Sequence, residues 1–291
     1  MADEEAFLDE DGVLVHRRQP RHREDEYDEA GFPVLLRMQR DHFWYRGRHA
    51  LIARVLEREL AGRVAAGHAL RAVDLGGGCG GWVEYLHGRT RQPFRELALA
   101  DSSMRALRLA GPIVGSFAAR YQVDLLDLPW SQEWDVAFLL DVIEHIPDHE
   151  RVLQQVRQSL RPGGLLFVTT PALRFFWTYN DVLAHHQRRY SRRDFRVLAN
   201  RLGFELPRVE YFMFFLSPLL LASRLVYRPG KAAGDVEIQE HQARTHATPP
   251  GLVNSLLTGV FSLEAALVDA VSFPWGTSIL AVLRRPDEPS A

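Results

Sequence analysis

One run of residues, Arg71-Ala-Val-Asp-Leu75 followed by Gly76-Gly-Gly-Cys-Gly-Gly81, narrows the possible folds more than any other part of the chain. Its first five residues read as a buried strand, and residues 81–87 can start a helix. Glycines between a strand and a helix let the backbone turn sharply and present bare N–H groups at a helix N-terminus. The chain on either side must then supply neighbouring strands and covering helices.

It does so by alternation. Glu96–Asp101 reads as a second strand, followed by a helix from Met104 to Ala110. Tyr121–Asp124 and Asp135–Leu140 read as the third and fourth strands. A helix over 149–160 turns Val152, Leu153, Val156 and Leu160 inward and meets a stop at Pro162-Gly163-Gly164. Leu165–Thr169 is a fifth strand. Ser191-Arg-Arg-Asp194 forms a capping box for a helix that buries Phe195, Leu198 and Leu202 and ends at Gly203. Strands near 208–213 and over Gly276–Leu283 complete the pattern. Such alternation predicts an α/β fold: a mainly parallel sheet with helices on both faces.

Outside this core, residues 1–30 are rich in charge and poor in apolar side chains, and are expected to form a disordered acidic tail. Residues 31–291 are then one domain. Its N-terminal helical cap spans 33–60, with Leu51, Val55 and Leu56 on one face. A hydrophobic insertion spans 214–274 around a polar centre, Lys231 to Pro250.

Composition excludes several functions. The net charge of −2 on 291 residues provides no basic field, so nucleic acid is not expected as an acceptor. The arginines between Arg188 and Arg196 read as a solvated face. The only cysteine, Cys79, excludes an intrachain disulfide and a cysteine-built zinc site, which suits a reducing compartment. The N-terminus lacks the basic-then-apolar order of a signal peptide. The most apolar stretch, Tyr211 to Ser223, is interrupted by Pro218 and falls short of the ~20 residues a membrane span needs. The expected location is cytoplasmic, with peripheral membrane contact open to 211–228 and 252–271.

The glycine turn admits two cofactors. Gly76, Gly78 and Gly81 spell GxGxxG, and Asp101 follows Gly81 by 20 residues, which matches a dinucleotide fingerprint. Gly76, Gly78 and Gly80 equally spell the GxGxG used for S-adenosylmethionine. Three features favour the second. Asp74, two residues before the first glycine, suits an ammonium group and repels a pyrophosphate. Asp124 ends the third strand, where an acid can meet an adenine amine. Asp141-Val-Ile-Glu-His-Ile-Pro-Asp148 follows strand four, and Leu160-Arg-Pro-Gly-Gly164 precedes strand five.

On these motifs the chain resembles the class I S-adenosylmethionine-dependent methyltransferases, specifically bacterial-type members with DVxEHxxD and LxPGG segments. The resemblance covers roughly 42–213 and resumes near 274–284. It implies a Rossmann-like seven-stranded sheet whose last strand is antiparallel, with the helical insertion just before that strand. It also implies Asp74, Gly76 and Gly78 as the cofactor cradle, Asp101 on the ribose, Asp124 on the adenine side and Leu140 lining the cofactor through its backbone. Gly77 and Cys79 depart mildly from the pattern without blocking the turn, and Cys79 reads as a small filler.

Methyl transfer is an in-line displacement, so the protein mainly aligns the acceptor and, for a hydroxyl, supplies a base. The segment Asp181–Ser191 resembles the H-x-R-R-Y-[ST] segment of this branch. It implies His186 as base or acceptor orienter and Tyr190 as a residue closing the pocket. Asp141, Glu144 and His145 resemble the D/E-x-x-E-H segment of ubiquinone-pathway O-methyltransferases, which suggests a divalent metal. The alternative, that Glu144 and His145 simply hydrogen-bond their loop, is preferred. His42-Phe-Trp-Tyr-Arg-Gly-Arg48 resembles a cofactor-capping segment, with Tyr45 and Arg48 placed for the cofactor carboxylate or the lid, and Phe43 and Trp44 read as packing anchors.

The function expected is S-adenosylmethionine-dependent methyl transfer to a small or lipid-like acceptor at oxygen, with nitrogen and carbon also compatible. The alternatives are an NAD(P)-dependent oxidoreductase and a methyltransferase-like binding subunit without turnover.

Overall fold

The computed structural model describes residues 6–18, 20, 22–23, 29–89, 93–226 and 248–287. The apolar run before the glycine turn forms strand β3 (Leu70–Leu75), buried along nearly its whole length. It lies at the centre of a sheet in which β4 (Phe94–Asp101) and β5 (Ala118–Gln122) follow on one side. On the other side come β6 (Trp134–Leu140), β7 (Leu160–Pro171), β9 (Ser278–Arg284) and β8 (Glu205–Phe212). Strands β3 to β7 are mutually parallel, and β9 runs antiparallel to both β7 and β8.

Among the described residues the sheet has nine strands where seven were expected. The additional pair, β1 (Phe7–Glu10) and β2 (Val13–His16), comes from the segment expected to be a disordered tail. They form a hairpin whose second strand joins β5 in parallel at Leu14 and Val15. The turn is Asp11-Gly12, with φ of 55° and 75°. Those left-handed values are what a tight hairpin asks of Asp-Gly. Val13 and Val15 are buried, and the short strand that carries them lies between Asp9-Glu10-Asp11 and Arg17-Arg18. A local average of charge hides so short a strand. Residues 1–5, 19, 21 and 24–28 of the tail lie outside the described residues.

Helices cover both faces. The cap is two helices, α1 (Phe32–Asp41) and α2 (Phe43–Ala65). They separate at His42, whose extended backbone (ψ 132°) breaks the run and whose Nδ1 accepts the Trp44 N–H at 3.2 Å. Helices α3 (Gly81–His87), α4 (Met104–Val114) and α5 (His149–Ser159) follow the first, second and fourth parallel strands. Helix α6 (Tyr179–Leu183) is a single short turn after β7. Helix α7 (Arg192–Leu202) begins at the Ser191–Asp194 capping box and ends at Gly203, whose φ is 71°. Pro162-Gly163-Gly164 does not separate helix from strand: β7 begins at Leu160 and absorbs these residues as a register shift against β6. Gly163 takes φ 71° there and donates its N–H to the Arg285 carbonyl at 2.9 Å.

Two helices of the apolar insertion are described, α8 (Ser217–Val226) and α9 (Gly251–Leu267). Residues 227–247, with most of the polar centre, lie outside the described residues. Helix α9 packs along α2. Asn254 joins it to the break in the cap, accepting the Phe43 N–H at 2.9 Å and donating to the Asp41 carbonyl at 2.8 Å. Among the described residues no helix is long and apolar enough to cross a membrane.

The α2–α9 contact depends on Gly47. A Cβ there would lie 2.1 Å from the ring of buried Phe261. Gly47→Ala should gain helix propensity yet destabilise the protein by ~1–3 kcal/mol, because an overpacked ring has nowhere to move. Chemical denaturation measures this, and a stabilised variant would show that the two helices are not in contact as described.

Candidate cofactor and acceptor site

The carboxyl ends of the parallel strands open into a cavity of about 790 Å³. The topology places it where ligands bind in open α/β sheets, because strand order runs outward in both directions from β3. Acids at the ends of β4 and β5 lie to one side. Loops after β6 and β7 lie to the other.

The glycine turn forms the floor. Gly76, Gly78 and Gly80 have φ of 69°, 56° and 79°, the left-handed region that side chains resist. Gly77 is equally constrained: a Cβ there would lie 2.3 Å from Asp74 Oδ2. Asp101 ties the turn to β4, its carboxylate accepting the Gly78 and Ser103 N–H groups, each at 2.9 Å. Cys79 is fully buried, and burial followed by the Asp101 charge pushes its thiol up to about 12. It is a filler, as expected, and no nucleophile.

Asp74, at the end of β3, is buried, and its Oδ1 has no hydrogen-bond partner among the described residues. Burial raises its pKa to about 7, against the opposing pull of Arg48. Asp124 lies two residues beyond β5 and is held by Arg23 through bonds of 3.2 and 2.7 Å. Leu140 lines the cavity at the end of β6. Arg48 reaches in from α2, donating to the Asp141 carboxylate while its guanidinium lies 4.5 Å from the Trp44 ring centroid and 5.1 Å from that of Tyr45. Its Nε is buried without a partner among the described residues.

Asp141 itself has φ 60°, a strained value for a non-glycine residue and one that clusters at functional sites. Its carboxylate also accepts the Thr169 hydroxyl at 3.1 Å. Glu144 is completely buried, and neither of its carboxylate oxygens has a hydrogen-bond partner among the described residues. Burial, then the Asp141 charge, raises its pKa well above the ordinary range.

The loop after β7 brings in the remaining groups. His186 Nδ1 lies 2.9 Å from Asp181 Oδ1, and the His186 ring meets the His145 ring edge-on at 4.8 Å between centroids. Asp181 also accepts a two-pronged Arg189 contact at 2.8 and 3.0 Å, together with the Thr178 N–H and hydroxyl. Burial alone would raise its pKa; the His186 and Arg189 bonds outweigh that and hold it well below the usual carboxylate range. Gln187 N–H donates to the Glu144 carbonyl at 2.7 Å, joining this loop to the one after β6.

Asp74, Gly76, Gly78, Asp101, Asp124, Leu140, Arg48, Asp141, Glu144, His145 and His186 therefore line one cavity. Tyr190 does not join them. It is buried in the core beneath, its hydroxyl donating to the Ile143 carbonyl at 3.3 Å and lying 3.0 Å from His149 Nδ1. Residue 190 pairs with Ala172 in an extended bridge, and successive side chains there face opposite ways, so Arg189 faces the cavity and Tyr190 the core. The metal-capable group also changes. Glu144, His145 and His186 have ligand atoms within 4.8 Å of one another, whereas Asp141 is committed to Arg48 and Thr169. Arg188 is no solvated charge: it donates to the Ile143, Ile146 and Pro147 carbonyls. Sequence reasoning did not single out Asp181, Arg189 or Arg23. The Thr178-x-x-Asp181 capping box was the one local signal for Asp181.

Fold and site together define a Rossmann-like methyltransferase. The family model described as "Methyltransferase domain" matches residues 36–209, and the chain belongs to that family of S-adenosylmethionine-dependent enzymes. A trans-aconitate 2-methyltransferase of Azoarcus sp. (strain BH72) is 32 % identical over 114 residues, covering 39 % of this chain and 44 % of the relative. A ubiquinone biosynthesis O-methyltransferase of Mesorhizobium japonicum is 30 % identical over 149 residues, covering 47 % and 51 %. The chain thus spans about half the length of the curated relatives it matches. A chain from the complex of the Haloferax volcanii Trm112 methyltransferase activator with a methyltransferase superposes with a TM-score of 0.57 at 17 % identity. It covers 92 % of this chain and 99 % of its own, and shares the fold.

Asp74 has a testable cost. Its folded pKa of about 7 lies above the ordinary 3.8, so the folded protein loses stability as pH rises through that interval. Asp74→Asn should stabilise the unliganded protein by roughly 3–4 kcal/mol at pH 8, with the gain shrinking as pH falls toward 5. Denaturant titrations at both pH values check this. A gain independent of pH would show that Asp74 does not carry the buried charge.

Proposed function

We propose that this protein transfers the methyl group of S-adenosylmethionine to an oxygen of a small or lipid-like acceptor. The observation that carries the reading is the braced Asp181–His186 pair facing the cavity beside buried Glu144.

The cofactor fits the groups present. Asp74 Oδ1 is a buried acceptor awaiting a donor, and Arg48 Nε a buried donor awaiting an acceptor. The cofactor's amino-acid part offers an ammonium to the first and a carboxylate to the second. Asp101 would hold the ribose hydroxyls and Asp124 the adenine amine, Gly76 and Gly78 would let the ligand approach the backbone, and Leu140 would line the site. When bound, the cofactor supplies a methyl group already activated by its sulfonium charge.

The residues of this chain then align the acceptor and take its proton. With Asp181 accepting the Nδ1 hydrogen of His186, Nε2 is left to accept the hydroxyl proton as the oxygen–methyl bond forms. Arg189 and Thr178 fix Asp181 in turn, so the imidazole does not have to be oriented during the reaction. Oxygen as the methylated atom is supported by the ubiquinone biosynthesis O-methyltransferase among the relatives. A lipid-like acceptor and peripheral membrane contact are supported by apolar side chains left in solvent on α9, Leu252 at 90 % and Leu256 at 68 % exposure. They lie four residues apart on one helix face. The cytoplasm is the location proposed.

A second reading rests on Glu144. A buried carboxylate between two imidazoles is a donor set suited to a divalent transition metal, which would lower the pKa of an acceptor hydroxyl. His186 cannot be both ligand and base, so one experiment separates the two. Under the first reading His186→Ala lowers turnover by ~10²–10⁴-fold, Asp181→Asn lowers it less, and neither changes cofactor affinity by more than about twofold. Chelator leaves the wild type unaffected. Loss of activity on chelation, restored by added metal, would establish the second reading, and full turnover by His186→Ala would overturn both.

A further inference from the structure

The N-terminal residues do more than extend the sheet. Between the β1–β2 hairpin and α1, four side chains grip the two loops that carry the nucleoside-side acids. Arg18 pairs with Asp127, and His22 Nδ1 lies 2.9 Å from the Ser102 hydroxyl. Arg23 forks onto Asp124, and the Ser103 hydroxyl donates to Glu29. Ser102 and Ser103 follow Asp101; Asp127 follows Asp124. His22 and Arg23 themselves line the cavity. The hairpin anchors this segment by pairing with β5, the strand that leads to Asp124.

The Arg23 contact is two-pronged: Nη1 donates to Asp124 Oδ1 at 3.2 Å and Nη2 to Oδ2 at 2.7 Å. Oδ1 also accepts the Leu126 N–H at 2.9 Å. A fork of this kind fixes the plane of a carboxylate as well as its charge. The pair is only half-buried, with Arg23 at 36 % and Asp124 at 24 % exposure, so it adds little to folding stability. Its consequence is directional. A carboxylate has about four lone-pair sites, and these bonds occupy three, leaving Oδ2 able to accept one more hydrogen.

We infer that Arg23 is a positioning residue for the nucleoside end of the cofactor site, holding the Asp124 carboxylate in the plane from which it accepts the exocyclic amine of adenine. The inference rests on the reading above that Asp124 faces the adenine. It makes residues ahead of the methyltransferase domain part of cofactor recognition. A base with a carbonyl in place of the amine sets lone pairs against lone pairs, and a fixed carboxylate cannot turn away from them. A carboxylate released from Arg23 can.

The test is calorimetric titration with S-adenosylhomocysteine and S-inosylhomocysteine, which differ at that one group. Wild type, Arg23→Ala, Arg23→Lys and the outer control Arg18→Ala are compared. Wild type should prefer the adenosyl ligand. Arg23→Ala should bind it about tenfold more weakly and lose about tenfold of the preference, with an unchanged thermal midpoint. Arg23→Lys should recover part of the affinity and less of the preference, since a point charge lacks the fork. Arg18→Ala should match wild type. Wild type that binds neither ligand overturns the cofactor reading and this inference with it. Wild type that prefers the adenosyl ligand alongside an Arg23→Ala variant with the same preference overturns this inference alone.

Discussion

The partly buried ion pair between Arg48 and Asp141 joins the helical cap to the sheet. Arg48 belongs to the cap and Asp141 to the end of β6, 93 residues apart in sequence. Burying either charge alone would be costly, so the cap helix and the loop after β6 stabilise each other's position. The consequences spread through the cavity. Asp141 has a strained backbone conformation, its charge adds to burial in raising the Glu144 pKa, and the charge of Arg48 pulls the Asp74 pKa down against burial. Burial and Arg48 also hold the neighbouring His49 well below its ordinary pKa, as a neutral imidazole. Each carboxylate of the cavity thus acquires a different character from its position: burial raises Asp74 and Glu144, whereas Arg23 holds Asp124 low against its burial.

Position in turn follows from the order of the strands. Because β4 and β5 lie on one side of β3 and β6 and β7 on the other, the acids after the first pair and the histidine loops after the second are kept apart by the glycine turn. Under the function proposed above, the cofactor and acceptor groups fall on opposite sides of β3. Hydrogen bonds then join the loops after β6 and β7: Gln187 to the Glu144 carbonyl, Arg188 to three carbonyls of the β6–α5 loop. Arg188, Arg189 and Arg192 of the run read as a polar surface are structural fasteners here, whereas Arg193 and Arg196 are exposed as expected.

The insertion is a further case of polar detail controlling apolar packing. Asn254 satisfies backbone groups at the α1–α2 break, and Glu264 accepts the Phe215 N–H at 3.1 Å just before α8. These two buried side chains set how an otherwise greasy helix sits, and they leave Leu252 and Leu256 facing outward.

Much of this was legible in the sequence. The buried strands, the capping box at Ser191, the C-cap at Gly203 and the glycine turn follow from period, turn chemistry and neighbours within a few residues. These are local properties, and local properties survive in a string of letters. Asp74, Asp101 and Asp124 were picked out by their place at strand ends together with the family resemblance, and all three line the cavity. The hairpin at 7–16 was missed because its two strands are only four residues each and sit among charged residues. The grouping of Glu144, His145, His186 and Asp181, the Arg23 fork on Asp124 across 101 residues, and the exclusion of Tyr190 were decided only by the tertiary structure. Each depends on which way a side chain faces once distant loops meet. No spacing along the chain encodes that direction; it is set when the sheet closes and the buried charges find their partners.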